Sequence, residues 1–247
     1  MSAGPVELSI VMPAYNEEVS IAGAVDDILT HVAPVVSSCE IIVVNDGSKD
    51  RTGEILAGIA AREPRVKVIT RQNGGHGPAL IMGLNAATGE NVLILDSDRQ
   101  IKLDNFADLY AAYRGADAMI AVRADRQDGP LRAVISRSLR GLLSLLFGKV
   151  PRDPNIPLKI LKRAAWQKAA PAIGDDNPIP SALLALHLTM SGARIVQKPI
   201  VHVPREGSVS NFRGWKLVKF CVLAGRTVLA FWRNPHVRAL RTEKRAA

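Results

Sequence analysis

An apolar run, Val92-Leu93-Ile94-Leu95, ends in Asp96-Ser97-Asp98, which brings two carboxylates to the point where a buried strand leaves its sheet. Carboxylate oxygens suit hard cations, and magnesium takes only one or two of them while water and substrate phosphate complete its shell. The pattern predicts a site for Mg2+ or Mn2+ shared with a diphosphate-bearing substrate. An isolated Asp-x-Asp also serves as an ordinary turn cap, so the elements around it have to decide.

Those elements repeat. Leu8–Met12, Glu40–Asn45, Val66–Thr70, Val92–Asp96 and Ala118–Val122 are short β-branched runs separated by helical stretches, the pattern of βαβ units. Strands that are apolar throughout predict a parallel sheet covered on both faces, and ligands of such sheets bind beyond the carboxyl ends of the strands. Three of those ends carry polar clusters here: Pro13-Ala14-Tyr15-Asn16-Glu17, Asn45-Asp46-Gly47-Ser48 and Asp96-Ser97-Asp98. All three are expected on one rim.

The chain has 247 residues and a formal charge of +9, which fits one large domain or a domain with an appendage. Charge is unevenly spread: residues 1–122 carry −7, 123–168 carry +8, 169–206 balance, and 207–247 carry +8. The basic second half therefore predicts an anionic partner. Aromatic residues make up only 4% of the chain, too few stacking platforms for a single-stranded nucleic-acid binder. Cys39 and Cys221 lack metal-ligand spacing, so neither a disulfide framework nor a zinc site is expected, and a reducing compartment fits. The start, Met1 to Glu7, does not read as a signal peptide, and no stretch reaches the roughly 18 apolar residues of a membrane span.

Four ordered strings, SIVMPAYNEE (9–18), IIVVNDGSKDRT (41–52), NGGHGPALIMGLNAATGE (73–90) and VLILDSDRQ (92–100), resemble the donor half of a family 2 inverting glycosyltransferase. Further on, Arg123 and Arg126, Arg132 with Ser136, RDPNIPLKILKR (152–163) and PREGSVS (204–210) resemble polyprenyl-phosphate hexose synthases of the dolichyl-phosphate mannose synthase group. The resemblance implies an α/β GT-A fold, with a Rossmann-like, mostly parallel central sheet flanked by helices and C-terminal amphipathic membrane-associated helices. It implies a donor-binding half in residues 1–122, an acceptor-binding half in 123–210 and a basic membrane-associating tail in 211–247.

By the same resemblance, Pro13, Tyr15 and Glu17 hold the base and ribose of a nucleotide sugar, Asp46 reads the base edge, and Arg123 joins the donor site. Asp96, Asp98 and Gln100 surround the metal. Arg132, Ser136 and Arg205 grip phosphate, and Asp98 with these three forms the catalytic set. The implied reaction moves mannose or glucose from a GDP or UDP donor to a polyprenyl phosphate at the cytoplasmic membrane face, and the group allows for a small membrane protein subunit as partner. Two departures stand out: Asn45-Asp46 replaces the paired aspartates common in the family, and Arg99 stands where Gly or Leu is usual. Arg99, beside the metal, reads either as a phosphate contact or as pointing to solvent, the second being the expectation.

The remaining residues bear on the acceptor. Arg132 and Ser136 lie four apart in a helix predicted from Pro130, so they face one way. Residues 177–193 contain no acid, which favours a phosphate acceptor, already an oxyanion near neutral pH, over a sugar hydroxyl that needs a base. Asp175 and Asp176 keep open the rival reading, transfer to a saccharide hydroxyl in polysaccharide or glycolipid synthesis. A catalytically silent nucleotide-sugar-binding scaffold is the other alternative. Gly74, Gly75 and Gly77 match no phosphate-loop spacing and read as turn residues, with His76 as a pocket wall. Lys159 reads either as a phosphate neighbour or as a solvated lysine.

Two helices are predicted beyond the donor half. In 213–233 the spacing predicts Lys216, Lys219, Arg226 and Arg233 opposite Leu217, Val218, Phe220, Leu223, Leu229 and Phe231, an in-plane membrane helix. A second, Leu131–Phe147, fits either the membrane or the core. The basic tail from Arg238 to Arg245 adds about 1 kcal/mol of attraction to anionic lipid per charge.

Overall fold

The computed structural model describes residues 5–124, 141–203 apart from 142, 145 and 149, and 215–246. The first four strands are β1 (Leu8–Ala14), β2 (Cys39–Asn45), β3 (Val66–Thr70) and β4 (Asn91–Ile94), separated by the helices α1 (Ile21–His31), α2 (Thr52–Ala60) and α3 (His76–Ala86). They are followed by α4 (Phe106–Tyr113), β5 (Ala118–Arg123), β6 (Lys159–Lys162), α5 (Arg163–Ile173), α6 (Pro180–Met190) and β7 (Ile195–Ile200). One seven-stranded sheet results, in the order β3-β2-β1-β4-β6-β5-β7.

β1 to β4 pair in parallel, as the apolar runs predict, and β7 pairs in parallel with β5. β6 runs antiparallel between β4 and β5, so the sheet is mixed. Side chains alternate across it with period two. Leu8, Ile10 and Met12 of β1 join α1, α2 and α4 in one core, whereas Val11 faces α3, α5 and α6 in a second. Burial on both faces explains the unbroken apolar strands.

β6 and β7 are strands that the sequence pattern does not reveal. β6 has only four residues with a lysine at each end, and β7 is a partly exposed edge containing Gln197, Lys198 and Pro199. β4 stops at Ile94, so Asp96 lies past its strand rather than in it.

A buried carboxylate locks the strands at the opposite end from the polar rim. Glu40 accepts from Ser9 Oγ at 2.5 Å, from the Thr88 N–H and hydroxyl at 2.8 Å each, and from Lys67 Nζ at 2.6 Å. Burial works against its charge, but these four donors outweigh it and hold the carboxyl at about 2.

Two more helices, α7 (Trp215–Arg233) and α8 (Pro235–Ala246), complete the chain. Asn234 caps α8, its Oδ1 accepting from the His236 N–H at 2.9 Å, with Pro235 opening the helix. Phe231 and Val237 are buried in the second core, and the Arg241 guanidinium stacks 4.1 Å over the Trp232 ring. This corrects the expected helix wheel. Phe231 turns inward, while Leu223 and Leu229, with Val222, are exposed and share the outer surface with Lys219, Arg226 and Arg233. The apolar end of the helix expected over Leu131–Phe147 also packs inward: Leu143 and Phe147 are buried, the Phe147 and Phe231 rings 6.1 Å apart. Among the described residues no helix is long and apolar enough to cross a membrane.

Candidate active site

A cavity of about 430 Å³ opens at the carboxyl ends of β1, β2 and β4, the rim that the sequence predicts. Pro13 near the end of β1, Tyr15 and Glu17 after it, Asp46 after β2, and Asp96 and Asp98 after β4 all line it. Tyr15 is 42% exposed and forms an open side of the cavity, whereas Glu17 is tucked in, its backbone N–H donating to Thr52 Oγ1 at 2.8 Å and its carboxylate accepting from Ser20 Oγ at 2.6 Å.

Asp46, 2% exposed, has a structural task beside the expected one. Its two oxygens accept the Gly74 and Gly75 N–H groups at 2.9 and 2.8 Å, with Arg71 Nε 3.5 Å away. A carboxylate has about four acceptor sites, so two remain for a ligand. Asn45 instead shapes its own turn, Oδ1 accepting from the Ser48 N–H at 3.0 Å. A carboxylate at this position would put a second charge in a buried turn.

Ser97 and Asp98 are fixed from opposite sides. The Ser97 hydroxyl donates to the Pro13 carbonyl at 3.0 Å, which turns Ser97 inward and its flanking aspartates to the cavity. Asp98 Oδ1 accepts from the Gln100 N–H at 3.1 Å, and the Gln100 side-chain amide donates to the Val203 carbonyl at 3.0 Å. Among the described residues no three His, Cys, Asp or Glu side chains gather closely enough to hold a metal by themselves. The donor set nonetheless fits a hard cation of the Mg2+ or Mn2+ type, since two oxygen ligands with substrate phosphate are such an ion's usual protein share.

His76 is more than a wall. At the start of α3 its Nε2–H donates to Asp96 Oδ1 at 2.9 Å. Neighbouring protein atoms disfavour the charged ring, although the side chain is 55% exposed, but the hydrogen bond to Asp96 and the charges of Asp96, Asp98 and Asp46 outweigh this and raise its pKa. Gly77, read from sequence as a turn residue, lies in the first turn of α3, where a Cβ would fall 2.0 Å from the Asn177 carbonyl oxygen. Its bareness admits the loop before α6. Asp175 and Asp176 in that loop are exposed, and neither lines the cavity.

Arg99 is exposed, as expected, and there its guanidinium pairs with Asp27 of α1. Lys159 is corrected: it is 1% exposed, with Nζ donating to the Ile156 carbonyl and Ser181 Oγ. Burial pushes its ammonium down to about 7, against the pull of Asp153 and Asp96. Arg123 Nη1 stands 3.2 Å from Asp153 Oδ2, while its buried Nε has no hydrogen-bond partner among the described residues. Arg126, Arg132, Ser136 and Arg205 lie outside the described residues.

Sequence reasoning missed the Lys159–Ser181 contact, the His76–Asp96 pair and the Arg99–Asp27 pair. Only the first left a trace: Ile156, Leu158, Ile160 and Leu161 enclose Lys159 in an apolar run.

A family model described as Glycosyl transferase family 2 matches residues 9–168. The chain is similar to undecaprenyl-phosphate 4-deoxy-4-formamido-L-arabinose transferases of Edwardsiella ictaluri (strain 93-146), 30% identical over 214 residues, and of Pectobacterium carotovorum subsp. carotovorum (strain PC1), 30% over 225. Each match covers 85% of this chain and 64% of the relative, so the chain spans less than two thirds of their length. Among solved structures it shares the fold of S. aureus TarS 1–349 in complex with UDP-GlcNAc, with a TM-score of 0.63 at 20% identity, covering 96% of this chain and 71% of that one. It also shares the fold of glucosyl-3-phosphoglycerate synthase from Mycobacterium tuberculosis in complex with Mn2+, UDP and phosphoglyceric acid, with a TM-score of 0.62 at 22% identity over 94% and 80%.

Proposed function

Because this chain belongs to glycosyl transferase family 2, we propose that it carries a sugar from a nucleotide diphosphate donor to a polyprenyl phosphate at the cytoplasmic face of a membrane, inverting the anomeric carbon. The observation that carries this reading is the convergence of Asp96 and Asp98 with Tyr15, Glu17 and Asp46 on one cavity. Tyr15 and Glu17 take the ribose and base, and the free acceptor sites of Asp46 take a ring N–H. Asp96, Asp98 and Gln100 would hold Mg2+ or Mn2+, which when bound would supply positive charge beside the diphosphate.

The acceptor half does the rest by positioning. A lipid phosphate is already an oxyanion, so attack needs alignment and charge neutralisation more than a base. Residues 177–193 supply no acid, and Asp175 and Asp176 stand away from the cavity. Arg123, whose Nε has no hydrogen-bond partner among the described residues, and Arg132, Ser136 and Arg205 steer phosphate oxygens; a guanidinium does so with paired N–H donors. In this division residues 1–122 hold the donor, 123–210 the acceptor, and 211–247 the membrane surface. A small membrane protein subunit is compatible with the same arrangement.

Both relatives are named for a formamido-arabinose rather than mannose or glucose. The test therefore offers membranes with labelled UDP-glucose, GDP-mannose and nucleotide-linked 4-deoxy-4-formamido-L-arabinose in turn. Label is expected in a mild-acid-labile lipid with one donor, and Asp98→Ala is expected to abolish it. Transfer to soluble saccharide with no lipid product would establish the hydroxyl-acceptor reading instead. Donor binding without transfer to either would leave the silent scaffold.

A further inference from the structure

Arg99 follows the Asp96-Ser97-Asp98 turn directly and has φ of 58°, a left-handed conformation that side-chain-bearing residues seldom adopt. Its guanidinium reaches back to α1 and grips Asp27 with both arms, Nε to Oδ2 at 2.8 Å and Nη2 to Oδ1 at 3.0 Å. Bidentate pairing of this kind fixes direction as well as distance. The guanidinium passes over Gly23, one helical turn before Asp27, where a Cβ would lie 2.5 Å from Nη1 and 2.8 Å from Cζ. A bare position, a carboxylate one turn later and a residue in an unfavourable backbone conformation thus interlock across two segments.

We propose that Arg99 and Asp27 are positioning residues that hold the Asp98 carboxylate in place for the divalent ion shared with the donor diphosphate. The inference rests on the reading of Asp96 and Asp98 as metal ligands. The inner side of the turn is held by the Ser97 hydroxyl on the Pro13 carbonyl, and Arg99 supplies the outer hold. Without Asp27 the bidentate hold on the α1 side of the left-handed residue is lost, and the turn shifts with the Asp98 side chain attached. The pair is 43% and 28% exposed, so it contributes little to global folding. Its effect is concentrated on the turn.

Three variants separate these roles: Asp27→Ala, Arg99→Gly and the double variant. The readouts are thermal unfolding and Mn2+ binding in the presence of UDP, followed by the electron paramagnetic resonance of free Mn2+. Asp27→Ala is expected to weaken Mn2+ binding about tenfold and to leave the melting temperature nearly unchanged. Glycine takes a positive φ without strain, so adding Arg99→Gly to Asp27→Ala is expected to restore most of the affinity. A purely stabilising ion pair would show no such rescue.

Wild-type affinity in Asp27→Ala, or no recovery in the double variant, overturns the proposal. If Asp27→Ala fails to fold, Asp27→Asn decides in its place: weakened Mn2+ binding with the melting temperature kept supports the latch, and wild-type affinity overturns it. Asp98→Ala in parallel distinguishes the two readings. Unchanged Mn2+ binding there defeats the metal site itself and the latch with it, whereas loss there with none in Asp27→Ala defeats only the latch.

Discussion

Asp46 accepts two backbone N–H groups in a nearly sealed position, so its removal acts on the loop before it acts on a ligand. Asp46→Ala leaves both donors without their acceptor, and such buried losses cost about 1–3 kcal/mol. Urea unfolding is expected to show that loss, and donor KM is expected to rise because the Gly74–Gly75 loop borders the cavity. Lys159 gives a second prediction. Its folded pKa of about 7 lies below the ordinary 10.5, so between these values the unfolded chain binds more protons and stability rises with pH. Replacing it by Met is expected to flatten that rise, measured as urea midpoints at pH 7 and pH 9.

At the scale of elements, Glu40 ties β1, β2, β3 and the turn before β4 through Ser9, Lys67 and Thr88. A carboxyl held at about 2 instead of 4.5 contributes its full stability above pH 4.5 and loses it as pH falls from there towards 2. The linked free energy is on the order of 3 kcal/mol. Glu40→Gln is expected to lower stability at pH 7 and to make unfolding less pH-dependent between pH 4.5 and 2, followed by circular dichroism. Wild-type pH dependence in this variant would mean that another carboxylate governs acid unfolding.

Across the whole molecule, the outer surface of α7 places Val222, Leu223 and Leu229 among Lys219, Arg226 and Arg233. Apolar side chains interleaved with long cationic ones match the headgroup boundary of an anionic bilayer. Removing residues 213–247 is a poor test, because Phe231 and Val237 leave the core with them. Val222→Glu with Leu229→Glu keeps those contacts. The pair is expected to abolish co-flotation with anionic liposomes without lowering the melting temperature, and unchanged flotation would remove α7 as the membrane surface.

The sequence alone determined what depends on local pattern. Apolar runs with polar ends dictated the first four parallel strands and the meeting of Tyr15, Glu17, Asp46, Asp96 and Asp98 on one rim, because strand direction in such a sheet leaves few other arrangements. Tertiary structure decided what depends on distant partners. β6 exists because β4 and β5 flank it; Lys159 is buried because α6 brings Ser181 to it; Arg99 is held because α1 presents Asp27 above Gly23. Phe231 likewise faces inward because Phe147 and the second core await it, a choice that no helical wheel contains. Periodicity records which faces are apolar, but which apolar surface meets which is settled only when the layers close.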